Sequence, residues 1–539
     1  MKKTLLTLSV LVLSTSLLAG CGGSGNNSAA SEDYKLENVT LPLKEKVTLH
    51  FMTQSSPLAP SDPNEKLIYK RLEEKTGVHI DFTNFTSDSF IEKRNLAVAS
   101  GDLPDAILDA GYSDYDLLNL GKDGTIIPLE DLIQKYMPNL QKVLKEAPEY
   151  RSMITAQDGH IYAFPWIEEL GSEKESIHSV NDMPWINVEW LKKLGLKMPK
   201  TTEDLKKVLL AFKNGDPNGN GQADEIPLSF ILNNGNEDLN FLFGSFGLGD
   251  NGDHTVVTNE GKVVFTADQD GYKEGIKYLN ELYKLNLIDE ESFEQDYNTY
   301  LAKGQSERYG LYFQWDKANI SGDNDKYELM NPLAGPSGEV NVTRTNNLGF
   351  DRGRMVITSD NKNLELTAKW IDQLYDPIQS VQDNWGTYGD KTQQNIFEYD
   401  EVSHMLKHLP LKGTAPVELR QKTNIGGPLA ILDEYYGTVT TKPDDAVGRL
   451  KLMKERLVPY MKADHNFPKV FFSLEDQKQI STLETDLFAY VNRKRAEWIK
   501  TGKVEEEWAE YKAELSRLGL DKWLEIKQKG YDGYLKDQS

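Results

Sequence analysis

After its first 21 residues this chain of 539 has no apolar run that could cross a membrane, since a spanning helix needs about 18 or more consecutive apolar residues. It holds a single cysteine, so an intramolecular disulfide is impossible and stability must come from packing and metal. Positive charge is scarce: 61 Lys and Arg stand against 84 Asp and Glu, a net charge of −23. Such a surface repels polyanions, which excludes a nucleic-acid partner but leaves room for a local basic pocket. Also missing are a glycine-rich phosphate loop, a nucleophile elbow and any cysteine–histidine pair.

What is present begins with "MKKTLLTLSVLVLSTSLLAGC": two lysines, an apolar run from Leu5 to Leu18, then small residues, the layout of an export signal. "LLAGC" resembles the bacterial lipobox, which makes residues 1–20 a signal peptide and Cys21 the site of lipidation, with diacylglycerol and palmitate as the anchor. The "GGSGNNSAASED" that follows has nothing to bury, so residues 21–45 are expected to be a flexible tether. The protein is placed at the extracellular face of a Gram-positive cell membrane, held by its lipid.

From Lys46 the text alternates. "KVTLHFMT" is β-rich, Asn64–Gly77 sets Leu67, Ile68 and Leu72 at helical spacing, and "VHIDFTNF" is β-rich again. Strand, helix, strand predicts a parallel α/β sheet. A helix ending at "SGD" and a short buried strand after Pro104 follow. Near the end, Ile480, Leu483, Leu487, Phe488 and Val491 share one face of a 3.6-residue period, which predicts a packed helix.

The segment "LAVASGDLPDAIL" (Leu96 to Leu108) resembles extracellular solute-binding proteins of ABC importers, in the maltodextrin-binding-like class. So do "GTIIPLEDLIQKYMPNL" (Gly124 to Leu140), "DGHIYAFPW" (Asp158 to Trp166) and "WINVEWLKKLGLKMPKTTEDL" (Trp185 to Leu205). The C-terminal stretch Tyr490 to Leu524 resembles the large lipoprotein branch of spore-forming Gram-positive bacteria. One departure is Asn187, where relatives often carry arginine. The resemblance implies an α/β, two-lobed periplasmic-binding-protein-like fold with parallel-rich sheets, a hinge, an interlobe cleft and a helical C-terminus. Lobe 1 is drawn from residues 46–166 plus about 333–400, and lobe 2 from 167–332 plus about 401–539.

"DPNGNGQADE" (Asp216 to Glu225) carries oxygen donors in the spacing of an EF-hand loop: Asp216, Asn218, Asn220, Gln222 and Asp224 at positions 1, 3, 5, 7 and 9, with Gly221 at the bend. Position 12 is Pro227, which has no ligating side chain, so Glu225 closes the set early. The plainer alternative is a polar turn between the helix "TTEDLKKVLLAFKNG" and the strand "IPLSFIL". Three carboxylates, Asp216, Asp224 and Glu225, are expected to converge and to need a divalent ion. The resemblance to calcium-containing alginate-binding proteins implies one structural calcium here.

Nine Trp and 25 Tyr supply planes for the C–H faces of sugar rings. Those in polar or glycine-rich settings are Trp166, Trp315, Trp385 and Tyr388, and the resemblance puts their regions at the cleft. Arg352 and Arg354 in "GFDRGRMVIT" either pair with carboxylates, the favoured reading, or bind a uronic acid. His404 and His408, four apart, are expected on a solvated helical face; zinc with Glu401 is the weaker alternative. Together these features describe a monomeric, lipid-anchored receptor that captures an oligosaccharide and delivers it, unaltered, to the permease subunits of an ABC importer. The alternatives are a secreted carbohydrate-active enzyme and a receptor for a non-sugar ligand such as a peptide.

Overall fold

The computed structural model describes residues 38–172, 175–322, 324–347, 349–411, 413, 416–462 and 466–538. Cys21 and most of the expected tether lie outside these described residues. Among them no helix is long and apolar enough to cross a membrane.

The first β–α–β unit forms as its sequence predicts. Strand Val47–Ser55 pairs in parallel with strand Val78–Thr86 over its whole length, from Val47 opposite Val78 to Ser55 opposite Thr86. Helix Leu67–Thr76 joins them, burying Ile68, Tyr69 and Leu72. It stops at Gly77, whose φ of 73° suits glycine and where a Cβ would stand 2.9 Å from the Leu43 carbonyl oxygen.

These strands belong to a six-stranded sheet ordered Leu429–Ile431, Phe164–Glu168, Phe350–Ile357, Ala106–Leu108, Val47–Ser55, Val78–Thr86. Strand Phe350–Ile357 runs antiparallel to both its neighbours and the other pairings are parallel. A second, four-stranded sheet is ordered Tyr327–Leu329, Met183–Asn187, Tyr309–Gln314, Ile226–Leu228, and only its last pair is parallel. Asn187 ends a strand here and caps helix Val188–Lys193 by accepting a hydrogen bond from the Trp190 amide, a role arginine lacks the acceptor to fill.

Each sheet has its own hydrophobic core. The first holds Phe51, Phe164, Ile167 and Trp370, and the second holds Trp185, Leu209, Phe313 and Trp498. Among the described residues the chain passes between these two cores at 177–180, 342–350 and 450–453, and Phe471 later buries against the first sheet with Met52, Ile107 and Val356. The expectation put the last passage near residue 401. Leu406, Leu419, Leu429 and Tyr435 bury in the first core instead, so residues up to Leu450 stay with the first sheet.

The C-terminus is helical over Leu474–Thr501, Val504–Arg517 and Leu520–Gln538. Leu487 and Val491 bury in the second core, and Ile480 joins a satellite cluster with Phe467 and Phe472. Arg495 locks the long helix down through two bonds to buried Asp238, at 2.9 and 2.7 Å. His404 and His408 are not on a helix: strands Phe397–Asp400 and Met405–His408 form an antiparallel hairpin. Alternation of Phe397, Tyr399, Leu406 and His408 across a polar turn outweighs the four-residue spacing. His408 is largely covered, and burial pushes its ring down to about 3, so it stays neutral.

Candidate functional site

A cleft of about 590 Å³ lies between the two cores, within the size range of small-ligand sites. One wall comes from the first sheet. Trp166 projects from strand Phe164–Glu168, half-buried, while Phe164 and Ile167 go into the core. Its ring meets the edge of His178 at 5.9 Å and lies 5.9 Å from the Arg354 guanidinium. Gly427, at φ 116°, passes so close that a Cβ would stand 3.1 Å from Trp166 and 3.2 Å from Arg354. Only glycine keeps both side chains in place. Phe350 and Tyr112 add aromatic surface to this wall.

Tyr112 follows strand Ala106–Leu108 and rests on Arg94, whose guanidinium sits 4.0 Å from the ring. Arg94 is itself held by the Ala110 carbonyl at 2.5 Å. Burial pushes the Tyr112 phenol up to about 12, so it remains a neutral hydroxyl. The opposite wall comes from the second core: Asn181, Asp182, Asn240 and Phe241, with Asn251 and Asp253 from the loop before a short hairpin. Asn346 and Asn347, in one of the passages between cores, also line it.

The polar groups of this cleft are unevenly satisfied. Among the described residues the buried Tyr112 Oη, Asn181 Oδ1, Asn240 Oδ1 and Arg354 Nε have no hydrogen-bond partner. Each such group costs roughly 1–3 kcal/mol when left unpaired, and the Asn, Asp and Thr side chains that line the cleft suit a ligand rich in hydroxyls. Asp182 accepts from the Phe241 amide at 3.0 Å. Burial, with Asp238 nearby, pushes it up to about 8, so at neutral pH it carries a proton to donate.

The arginines are largely committed to the protein. Arg352 donates to Asp114 at 3.1 Å, to the Met153 carbonyl at 2.7 Å and to the Lys469 carbonyl at 2.5 Å. Arg354 bonds Asp109 and lies 3.2 Å from Asp351. Their charges are balanced by carboxylates, as the ion-pairing reading expects, and Asp253 in the same lining stands opposite Lys469.

Of the residues grouped by sequence, the structure brings Trp166, Arg352 and Arg354 to this cleft and leaves three elsewhere. Trp315 is clamped between Arg449, 3.6 Å from its ring, and His178 at 5.1 Å. Trp385 closes helix Pro377–Trp385, is 9% exposed, and lies beneath Arg420 at 4.4 Å. Tyr388 stacks on Tyr399 at 5.4 Å and under Arg71 at 4.4 Å. Glycine and acid neighbours in "DNWGTYGDK" gave Trp385 and Tyr388 a loop-like look; Trp385 is buried, while Tyr388 and Trp315 are half-buried against cation–π partners from other segments. The cleft residues missed by sequence reasoning, such as Asn181, Asp182, Asn251 and Asn346, sit in "SVND", "GDNGD" and "RTNN". Short Asn/Asp runs beside apolar strands were the available signal.

The loop after helix Thr202–Asn214 folds tightly. Asp216, at φ 43°, accepts from the Gly219 amide at 3.1 Å and the Gly221 amide at 3.2 Å. Asn218 and Asn220 donate to one Asp224 oxygen at 2.9 and 3.0 Å, and these bonds lower the Asp224 carboxyl. The expected convergence of three carboxylates is corrected: among the described residues no group of three or more His, Cys, Asp or Glu is gathered as a metal would need. Amides intervene between Asp216 and Asp224. The donors still suit a hard cation, because all are oxygens and Glu225 Oε1 is buried with no partner among the described residues.

Comparison with known proteins gives one consistent pattern. The family described as bacterial extracellular solute-binding protein matches residues 60–380. The fructooligosaccharide ABC transporter substrate-binding protein FusA of Streptococcus pneumoniae serotype 4 is 64% identical over 97% of this chain and 97% of its own. Its structure in complex with kestose superposes with a TM-score of 0.90 at 64% identity, covering 91% of this chain and 100% of that one. An EF-hand mutant of FusA, solved with fructo-nystose, has the same TM-score, identity and coverage. The alginate-binding protein AlgQ2, solved without calcium ion, shares the fold at 22% identity and a TM-score of 0.69, over 92% of this chain and 100% of that one.

Proposed function

This chain belongs to the bacterial extracellular solute-binding proteins, and on that premise we propose that it captures a neutral fructooligosaccharide in its interlobe cleft and presents it to an ABC importer. The observation that carries the reading is one cleft combining the Trp166 ring with the polar atoms of Asn, Asp and Thr side chains. Sugar rings offer apolar faces to such a ring and hydroxyls to such atoms. The likeness to FusA supplies the sugar class, and the carboxylate-balanced arginines argue for a ligand without charge.

The three chain passages between cores supply a hinge. Closure over the sugar shifts the population toward a form the permease can recognise, and no bond of the ligand changes. Calorimetry with kestose, maltotriose and trigalacturonate tests this. Kestose is expected to bind and trigalacturonate is not. Failure of kestose to bind would sink the reading, and shorter sugars on chromatography after prolonged incubation would assign the cleft to an enzyme.

Two further parts of the proposal concern the periphery. The loop Asp216–Glu225 holds one structural calcium through Asp216, Asn218, Asn220, Gln222, Asp224 and Glu225; FusA has been solved as an EF-hand mutant with its sugar bound, which supports separate loop and sugar sites. The chain is a monomer anchored through lipid on Cys21. Replacing Cys21→Ala should release the protein from the membrane fraction or leave an uncleaved precursor. Unchanged membrane retention with normal cleavage after Gly20 would exclude the anchor.

A further inference from the structure

The first passage between the cores is held by its carbonyls. Thr345, in the second passage, serves two of them: its hydroxyl donates to His178 at 2.6 Å and its amide to Ser179 at 2.9 Å. Arg449 takes the two that flank these, donating from Nε to the Ile177 carbonyl at 3.3 Å and from one terminal nitrogen to the Val180 carbonyl. Its other terminal nitrogen reaches the carbonyl of Trp315, just after strand Tyr309–Gln314, and the Met183 sulfur at 3.0 Å. Four consecutive carbonyls of one passage are therefore tied to the other two. A planar fork with several donors can serve carbonyls on separate segments at once, and Asp316, Asp182 and Asp445 stand near enough to balance its buried charge.

Arg449 is carried by helix Asp444–Arg456, which runs unbroken through the third passage, with Ala446 and Leu450 in the first core and Met453 in the second. That passage is a rigid rod, whereas the first is non-helical chain, free to bend were its carbonyls released. Directly beyond the tied carbonyls come Asn181 and Asp182, and Thr345 is followed by Asn346 and Asn347, all of which line the cleft. Arg449 is not among the lining residues. We propose that Arg449 is a positioning residue for sugar capture, which fastens the first passage, and through Thr345 the second, to the rigid third, so that these polar walls close on a ligand as one hinged unit. This rests on the capture reading above. Releasing the fastening lets the lobes adopt more arrangements, and apparent affinity falls with the fraction of molecules in the competent one, by the same factor for any ligand.

Titration calorimetry on the full chain with kestose and nystose tests the assignment. Arg449→Met is expected to weaken both sugars at least tenfold and by equal factors. Arg449→Lys, which keeps the charge without the fork, should weaken both at least threefold, again equally, and carries the test if the methionine variant does not fold. Arg456→Met is the control, since Arg456 lies on the same helix and its guanidinium bonds Asn331; both affinities should stay within about twofold. Hydrogen exchange at the Thr345 amide, followed well below the melting midpoint, should quicken in the Arg449 variants and not in the control. Unchanged affinity or unchanged Thr345 exchange in the Arg449 variants, unequal factors for the two sugars, or an equal loss in Arg456→Met would overturn the positioning role. Failure of the unmodified protein to bind either sugar would instead overturn the capture reading itself.

Discussion

Trp385→Ala is expected to cost about 3–5 kcal/mol of stability and leave kestose affinity unchanged, whereas Trp166→Ala should do the reverse, weakening kestose by about 2 kcal/mol with little change in melting. The two rings sit on neighbouring parts of the same lobe, yet their surroundings differ in kind. Trp385 is packed in the first core beneath Arg420 and against His408 at 5.7 Å, so its truncation leaves a cavity, while Arg420 keeps its hydrogen bonds to Asn384. Trp166 is half-buried and faces the cleft, so truncation removes a platform and little internal packing. Denaturant unfolding and calorimetry on both variants separate the outcomes. Loss of kestose in Trp385→Ala with normal binding in Trp166→Ala would show that the sugar lies elsewhere.

That contrast also marks what the sequence could and could not convey. The first β–α–β unit was legible because its periodicities are local: Leu67, Ile68 and Leu72 and the strands on either side define their own partners. The C-terminal helix was legible for the same reason, through Leu487 and Val491. Family motifs extended this to two lobes and a cleft, but a motif says nothing about what covers a given ring. Trp315, Trp385 and Tyr388 lie against Arg449, Arg420 and Arg71, cations from distant segments, and such pairings are set only by the folded topology.

The cleft's polar wall was hidden for a related reason. Asn181 and Asp182 precede one strand, Asn251 and Asp253 precede another, and Asn346 lies in a passage between cores. Each pair reads as an ordinary turn, and only the meeting of three such turns makes the polar wall of the cleft. The hairpin at His404 and His408 failed differently, because spacing four apart fits a helix face as well as two strands with a turn between them.

Chelation of calcium is expected to lower the melting temperature of the unmodified protein and to leave Asp216→Ala unaffected. An ion that binds only the folded chain stabilises by RT ln(1 + [L]/Kd), about 2.7 kcal/mol at a hundredfold excess over Kd. For a lobe of roughly 150–250 residues that corresponds to a fall of about 5–10 °C. The structural basis is the junction the loop makes. It joins helix Thr202–Asn214 to strand Ile226–Leu228, and that strand pairs in parallel with Tyr309–Gln314 at the edge of the second sheet. Arg308 also reaches back to the Asp224 carbonyl at 3.0 Å, tying the loop to the start of that partner strand. Without the ion, Glu225 Oε1 stays buried and unpaired beside this edge. None of the loop residues lines the cleft, so kestose affinity measured well below the melting midpoint should survive both chelation and Asp216→Ala. Scanning calorimetry with and without chelator checks the first expectation and isothermal titration the second. Chelator-insensitive melting of the unmodified protein would reduce the loop to a turn, and loss of kestose binding at low temperature would place the ion in the ligand site rather than in the scaffold.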